Sequence, residues 1–267
     1  MCIRDSNDTA LTKLSPAVDL FPASIISFNN IINNSATNET TGYGNASVRY
    51  ISKNVVLAEG LDAEDMKVFL TAYKPPTSTI QVYSKILSSD DPDVFKDKDW
   101  TLMSASNNSN LFSDSLNDKD YIEFEYSFPR TPPSTALAGI ITSATTTTLT
   151  GSGSAFNTDL VANDIIKIVQ SDTETSYDIG VVDAVTNATN LTLKSNTSFS
   201  GACSIEKVTQ KKAAFKYNRE SNIVTYFDAS NGRHSSYKVF AIKVVLLSST
   251  TQNPPIMKDV RALAVSI

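Results

Sequence analysis

The chain has 267 residues, of which 41% are hydrophobic and 19% are charged, so it can bury a core and is not predicted to be disordered. Its formal net charge of -5 offers no attraction to phosphate groups, which disfavours general binding to nucleic acids. Serine, threonine and asparagine compete with the helical backbone for hydrogen bonds, and their abundance favours strands and turns over helices.

The first 44 residues are predicted to lie outside the main fold. Residues 1–6, MCIRDS, resemble a translated sequencing-adapter scar, which implies that they are not biological and that the natural protein extends further upstream. The rest of this segment is polar except for an apolar cluster between Phe21 and Ile32, for which packing on the sheet and packing on an upstream domain are both open. Residues 33–44, rich in Asn, Ser and Thr, are predicted to be a loop or linker.

Residues 55–87 are predicted to contain a half-buried antiparallel hairpin. Apolar residues alternate with other types from Met66 to Ala72 and again from Ile80 to Ile86, as in strands with one face on a core. Pro75-Pro76 lies between the two runs, where proline can fix a turn without removing a donor from a strand.

An acidic loop follows this segment and contains the single tryptophan, Trp100. Calcium prefers clustered oxygen ligands, and five carboxylates of the loop are candidates: Asp90, Asp91, Asp93, Asp97 and Asp99. Their order does not match a helical calcium loop, and Lys96 and Lys98 interrupt it. The favoured interpretation is a solvated loop with Phe95 and Trp100 packed beneath it, and no metal site is predicted.

The run from Tyr121 to Phe128 is the clearest strand pattern in the chain, with alternating apolar residues on one face. Glu123 and Glu125 share the other face and could suggest acid/base chemistry of the glycosidase type. Alternating glutamates are also ordinary on the solvent side of an antiparallel sheet, and this second interpretation is favoured.

The composition changes after the stiff connector at residues 129–134, and short strand patterns with frequent turns continue to about residue 210. Strands like those of the first part then return, including Tyr237–Leu247, which is apolar on both faces, and Val260–Ile267. The predicted fold is therefore all-β. It consists of a jelly-roll-like antiparallel β-sandwich of residues 45–133 and 211–267, interrupted by a small β-barrel or sandwich module at 134–210.

Motifs for catalysis are missing from the sequence. There is no Gly-x-Ser-x-Gly elbow, no His-Glu-x-x-His pair and no dinucleotide-binding glycine pattern. The single histidine, His234, lies in a polar turn and is predicted to be an exposed loop residue. Cys2 and Cys203 form no Cys-x-x-Cys pair, and no apolar run is long enough to cross a bilayer. The chain is predicted not to be an enzyme, with no catalytic residue, cofactor, metal or membrane span.

Three segments resemble a family of virion structural proteins from tailed bacteriophages, especially marine phages with contractile tails. They are residues 55–87, the acidic segment that ends in DWTLM, and the C-terminal segment, in which Pro255, Asp259, Arg261 and Ala262 match a family pattern. The module that begins LTGSGSAF resembles a small β module of phage tail and fibre proteins, but it has Ala162-Asn163 where a glycine is expected before the aspartate.

The resemblance implies a component of a phage tail, such as a baseplate, neck or fibre protein, that is made in the host cytoplasm and incorporated into the virion. It implies other virion proteins as partners, self-association, and contact with a host-surface glycan as a further option. The alternative function is a carbohydrate-binding or receptor-recognising module. Such a module would need exposed aromatic rings on one face, and four residues are candidates: Tyr73, Tyr83, Trp100 and Tyr226.

Overall fold

The computed structural model describes residues 14–20, 23–29, 46, 48–115, 120–170, 177–197, 202–217, 223–250 and 253–267. Nearly all regular structure in these residues is β-strand, so the predicted all-β class is confirmed. The strands before the barrel are β1 (Leu14–Leu20), β2 (Ala23–Asn29), β3 (Arg49–Ile51), β4 (Val55–Val56), β5 (Asp65–Tyr73), β6 (Ser78–Leu87), β7 (Thr101–Leu102), β8 (Ser104–Asn107) and β9 (Ile122–Ser127).

The remaining strands begin with those of the barrel: β10 (Ser134–Thr145), β11 (Thr148–Ser152), β12 (Ile165–Gln170), β13 (Tyr177–Val185), β14 (Asn190–Leu193) and β15 (Cys203–Val208). After the barrel come β16 (Phe215–Lys216), β17 (Val224–Phe227), β18 (Arg233–His234), β19 (Val239–Ser248) and β20 (Ile256–Val265). Helical structure in the described residues is a 3-10 turn at Phe95–Asp97 and one short helix, α1 (Phe156–Asp159).

The N-terminal strands β1 and β2 pair with each other in antiparallel register, Leu14 opposite Asn29 and Leu20 opposite Ala23. They pair with no other strand that the structure describes. Residues 1–13, which include the MCIRDS segment, and the predicted linker at 33–44 lie outside the described residues.

Two antiparallel sheets form a sandwich. Sheet I has the strand order β3-β19-β6-β7, with β4 also paired to β19, and sheet II has the order β20-β5-β9-β8. Their facing side chains form the main core, in which Val68, Leu70 and Val82 are fully buried. The alternating apolar residues of the sequence therefore lie on the face that was predicted for them.

The predicted hairpin of β5 and β6 is wrong. β5 pairs with β9 and β20, whereas β6 pairs with β19 and β7, so the two strands belong to opposite sheets. Their apolar faces meet across the core, and the Pro75-Pro76 segment is a connection between sheets. Alternation depends only on the geometry of a single strand and carries no information about which strand lies beside it.

Sheet I is buried on both faces near its centre, which corrects the prediction that β6 is half-buried. On the outer face, Tyr83, Val245 and Leu247 form a second apolar cluster against Trp100. β19 is likewise buried on both faces, as its apolar pattern predicted.

Strands β10 to β15 close into a six-stranded barrel with the order β10-β11-β14-β13-β12-β15. Its own core includes Ile141, Leu149, Phe156 and Ile205, and Cys203 is a buried free thiol within it. The barrel strands lie between the two groups of sandwich strands in the sequence, and the predicted small β-barrel module is confirmed.

A small sheet, in the order β16-β17-β18, connects the sandwich to the barrel. All four residues of β17 are buried. Val224 and Tyr226 pack into the sandwich core, while Phe227 joins Ile165 and Val208 of the barrel in a separate cluster. Successive side chains of a strand point to opposite faces, so this short strand contacts both modules at once.

Candidate functional site

A buried network of charged and polar side chains lies where the small sheet meets the acidic loop after β6. Tyr226 of β17 is fully buried, and its hydroxyl donates a hydrogen bond of 2.7 Å to Oδ2 of Asp91. The hydroxyl oxygen of Tyr226 in turn accepts a hydrogen bond of 2.7 Å from the backbone N–H of Ser88. Burial, together with the neighbouring Asp91 carboxylate, raises the pKa of Tyr226 well above its ordinary value. The phenol is therefore a neutral donor at physiological pH.

Lys98 neutralises this part of the loop. Its ammonium group lies 2.5 Å from Oδ2 of Asp91 and 2.8 Å from Oδ2 of Asp93, and its side chain is 1% exposed. Burial alone would raise the pKa of Asp93, but hydrogen bonds from Lys98 and from the backbone N–H of Ala229 hold it below its ordinary value. The lysine that interrupts the acidic sequence is thus the counter-ion that permits its aspartates to be buried.

Asp228 and His234 complete the network from the other side. Oδ1 of Asp228 accepts hydrogen bonds of 2.7 Å from the backbone N–H groups of Ser230 and Gly232, and Oδ2 lies 3.2 Å from Nε2 of His234. Burial opposes ionisation of Asp228, but the Gly232 N–H, His234 and the Ser230 N–H together lower its pKa. The imidazole stacks on the ring of Tyr226, with a centroid distance of 5.2 Å.

The prediction that His234 is an exposed loop residue is therefore wrong. Its side chain is 11% exposed and packs between Asp228 and Tyr226. The polar turn is present, but His234 belongs to the short strand β18, which pairs with β17 and places His234 opposite Tyr226. A local composition argument cannot detect this partner, because Asp91 and Tyr226 are brought to it by other parts of the chain.

Asp91, Asp228 and His234 could in principle hold a cation, because one ligand atom from each lies within 4.8 Å of the others. The arrangement does not fit a vacant metal site. The Lys98 ammonium already lies at hydrogen-bonding distance from Asp91, and Asp228 is occupied by two backbone donors. We therefore assign these residues to a structural network that holds the acidic loop against the small sheet.

The five candidate calcium ligands are not gathered at one point. Asp91 and Asp93 share Lys98, whereas Asp90 and Asp97 are exposed on the surface. The predicted solvated loop is thus partly wrong, because Asp91 and Lys98 are buried. Phe95 and Trp100 are half-buried beside it.

Glu123 and Glu125 lie on the outer face of sheet II, as predicted for surface residues. Glu125 pairs with Lys67 of the adjacent strand β5, and Glu123 pairs with Arg261 of β20, two strands away. The cations of both pairs are exposed, so the two glutamates take part in surface ion pairs of sheet II.

The aromatic residues proposed for sugar stacking do not form a surface platform. Tyr73, Tyr83 and Tyr226 are at most 5% exposed, and only Trp100 is partly accessible. Trp100 borders an open groove of about 510 Å³ on the outer face of sheet I, together with Phe95, and Lys85 lies 5.2 Å from its ring. Burial lowers the pKa of Lys85.

A second cavity, which sequence analysis did not find, lies between barrel strand β13 and the small sheet. This junction cleft has a volume of about 260 Å³. Ile179, Val181 and Phe227 provide apolar lining, and Lys194 and Arg233 bring two positive charges. No sequence signal marks it, because its residues come from separate strands of two modules.

Among the described residues, no helix combines the length and apolar character needed to cross a bilayer. Compared with known proteins, the chain matches no family model, no curated protein and no solved structure.

Proposed function

We propose that this chain is a structural subunit of a bacteriophage virion tail and that it works by assembly with neighbouring subunits. The sequence resemblance to tail proteins supports this role. So does the architecture, in which a sandwich and a barrel share the small sheet between them.

The observation that carries the proposal is the free edge of β20. Protein sheets commonly protect their edges by keeping the edge strands short. Three sandwich edges follow this rule, since β3 and β4 have three and two residues, β7 has two and β8 has four. β20 has ten residues and ends sheet II with no further partner among the described strands. A long edge of this kind is a template for pairing with another chain.

The side chains of β20 are suited to a second copy of this chain as that partner. Asp259, Arg261, Leu263 and Val265 are exposed, whereas the alternate residues Val260, Ala262 and Ala264 pack on the core. In an antiparallel pair centred on Val260, Asp259 of each copy faces Arg261 of the other. The interface then contains two Asp259–Arg261 pairs, and the exposed apolar residues lie beside the hydrogen bonds that join the two copies.

Mass spectrometry of purified virus particles from the source sample tests the tail assignment. Peptides from residues 55–87 and 237–267 are expected in the particle fraction, in amounts comparable to other tail parts. Detection of these peptides only in the infected-cell fraction would contradict a virion role.

A further inference from the structure

The junction cleft lies on the seam between the two modules, a position where small-molecule sites are frequently built. Its apolar wall is formed by Ile179 and Val181 of β13 and by Phe227 of β17. Its volume of about 260 Å³ is suited to a ligand of the size of one sugar ring. None of these residues takes part in the β20 edge, so the cleft is independent of the proposed assembly.

The positive charges of the cleft lack anionic partners. The guanidinium of Arg233 lies 4.3 Å from the centroid of the Tyr217 ring and forms no ion pair with any residue that the structure describes. The ammonium of Lys194 donates a hydrogen bond of 2.6 Å to Oδ1 of Asn163, a neutral amide, and likewise has no carboxylate within the described residues. The nearby Asp178 accepts a hydrogen bond from Tyr217 and pairs with neither cation.

The cleft also holds an acceptor without a donor. Oδ1 of Asn231 is buried, and none of the residues that the structure describes donates a hydrogen bond to it. Asn231 adopts a left-handed conformation with φ of 67°, which fixes it in the turn between β17 and β18. A buried acceptor that gives up its water without gaining a donor carries a free-energy cost, and a ligand hydroxyl at this point would remove that cost.

We propose that the junction cleft binds a sugar-sized, hydroxylated carboxylate of the uronic-acid type. The planar fork of Arg233 is suited to a carboxylate, with Lys194 as a second positive charge. Asn231 accepts a ligand hydroxyl, and the apolar face of the sugar ring packs on Phe227. A ligand of this size is expected to bind with a Kd of about 1 mM, and an array of copies on a particle would multiply that affinity.

Isothermal titration of the full chain with glucuronic acid tests the proposal, with glucose, acetate and inorganic phosphate as separate probes. We expect glucuronic acid to bind at least about tenfold more tightly than each of the other three, with an affinity that falls as salt is added. Equal binding of acetate or phosphate would reduce the cleft to a simple anion site and overturn the proposal. Equal binding of glucose, or no binding of glucuronic acid, would overturn it as well.

Variants then locate the binding. Arg233→Gln and Lys194→Met should each weaken binding of glucuronic acid by about tenfold or more, and Asn231→Asp should do the same by placing a negative charge against the ligand. Lys53→Met removes an exposed lysine that does not line the cleft and is the matched control. Arg233→Lys keeps the charge, and an intermediate loss is expected because the fork is missing. Binding that is unchanged in both Arg233 variants would refute the site, and circular dichroism checks that each variant is folded.

Discussion

The hydroxyl of Tyr226 donates a hydrogen bond of 2.7 Å to the carboxylate of Asp91 across 135 positions of sequence. This bond joins the strand that contacts both modules to the acidic loop of the sandwich. The adjacent pair of Lys216 and Asp65, 2.7 Å apart and also buried, makes a second connection between the small sheet and the sandwich. Polar contacts between distant segments therefore fix the small sheet in place.

Substitution of Tyr226 by phenylalanine should destabilise the protein by about 1–3 kcal/mol, because the buried Ser88 N–H loses its acceptor and Asp91 loses a donor. The ring and its packing in the core are retained, so the change reports on the hydroxyl. Urea denaturation measures the free energy of unfolding. Tyr50→Phe, at an exposed tyrosine, is the control and should change stability by less than about 0.5 kcal/mol. Equal effects of the two substitutions would contradict the assigned role.

Substitution of Lys98 by methionine should cost about 3–5 kcal/mol, because it leaves the buried Asp91 carboxylate without its counter-ion. The exposed pair of Lys67 and Glu125 provides the comparison. Lys67→Met should cost at most about 1 kcal/mol, since solvent screens the charges of a surface pair. Thermal and urea unfolding of both variants would measure the difference. A Lys98 variant as stable as the Lys67 variant would show that the network adds no stability.

Acid should destabilise the folded chain through Asp93 and Asp228. The pKa of each carboxyl is lower in the folded chain than its ordinary value of about 3.9, so the ionised forms favour folding. This stabilisation is complete above the ordinary value and is lost as the pH falls through the lower folded values. Unfolding free energies should therefore decline as the pH falls below about 4.

Asp228→Asn isolates one contribution to this acid dependence. The variant should be less stable than the parent at neutral pH, and its stability should fall less steeply in acid, since one titrating group is gone. Asp90→Asn, at an exposed aspartate of the acidic loop after β6, is the control and should keep the parent slope. Identical slopes for the parent and the Asp228 variant would exclude this carboxylate as a source of the acid sensitivity.

Sequence alone predicts the faces of the strands well and their neighbours poorly. The alternation in β5 identifies Val68 and Leu70 as core residues, because side-chain direction follows from the local backbone. The pairing of β6 with β19 places Val82 opposite Val244, a contact that no local pattern encodes. The hairpin prediction was wrong because a proline between two alternating runs fits a hairpin turn and a crossover between sheets equally well.

The buried network was missed for a related reason. Lys98 was interpreted as a residue that breaks a calcium motif, and His234 as a residue of an exposed turn. Both interpretations consider only sequence neighbours, whereas burial of these side chains is set by Tyr226 and the strands around it. The polar turn around His234 was predicted from the sequence, but its contact with Asp228 was not.

A bulge in the barrel gives a prediction about packing. Gly139 has φ of +83° at an irregularity in β10, and a Cβ at this position would lie 2.5 Å from the backbone nitrogen of Ser154. Gly139→Ala should therefore cost the left-handed strain of about 1–2 kcal/mol plus about 1–3 kcal/mol for overpacking. Gly60 also has a positive φ, +75°, but no atom lies within 4 Å of a Cβ added there. Gly60→Ala should therefore cost only the left-handed strain of about 1–2 kcal/mol. If urea denaturation gave equal losses of unfolding free energy for the two variants, the barrel backbone would have shifted to make room for the new methyl group, and the overpacking prediction would be wrong.

Charge reversal on β20 tests self-association along this edge. Arg261→Asp should weaken association of two copies by about tenfold, because two facing aspartates replace each matched pair. The double variant Asp259→Arg with Arg261→Asp restores opposite charges and should regain the parent affinity, although it also loses the pair with Glu123. Sedimentation velocity over a range of concentrations measures the change.

The control is Lys67→Asp, which lies on the same face of sheet II but on β5, one strand inward from the edge, and should leave association unchanged. Asp259 and Arg261 also pair within one chain, 3.2 Å apart, and the exchange restores that contact as well. Failure of the double variant to regain the parent affinity would exclude this register.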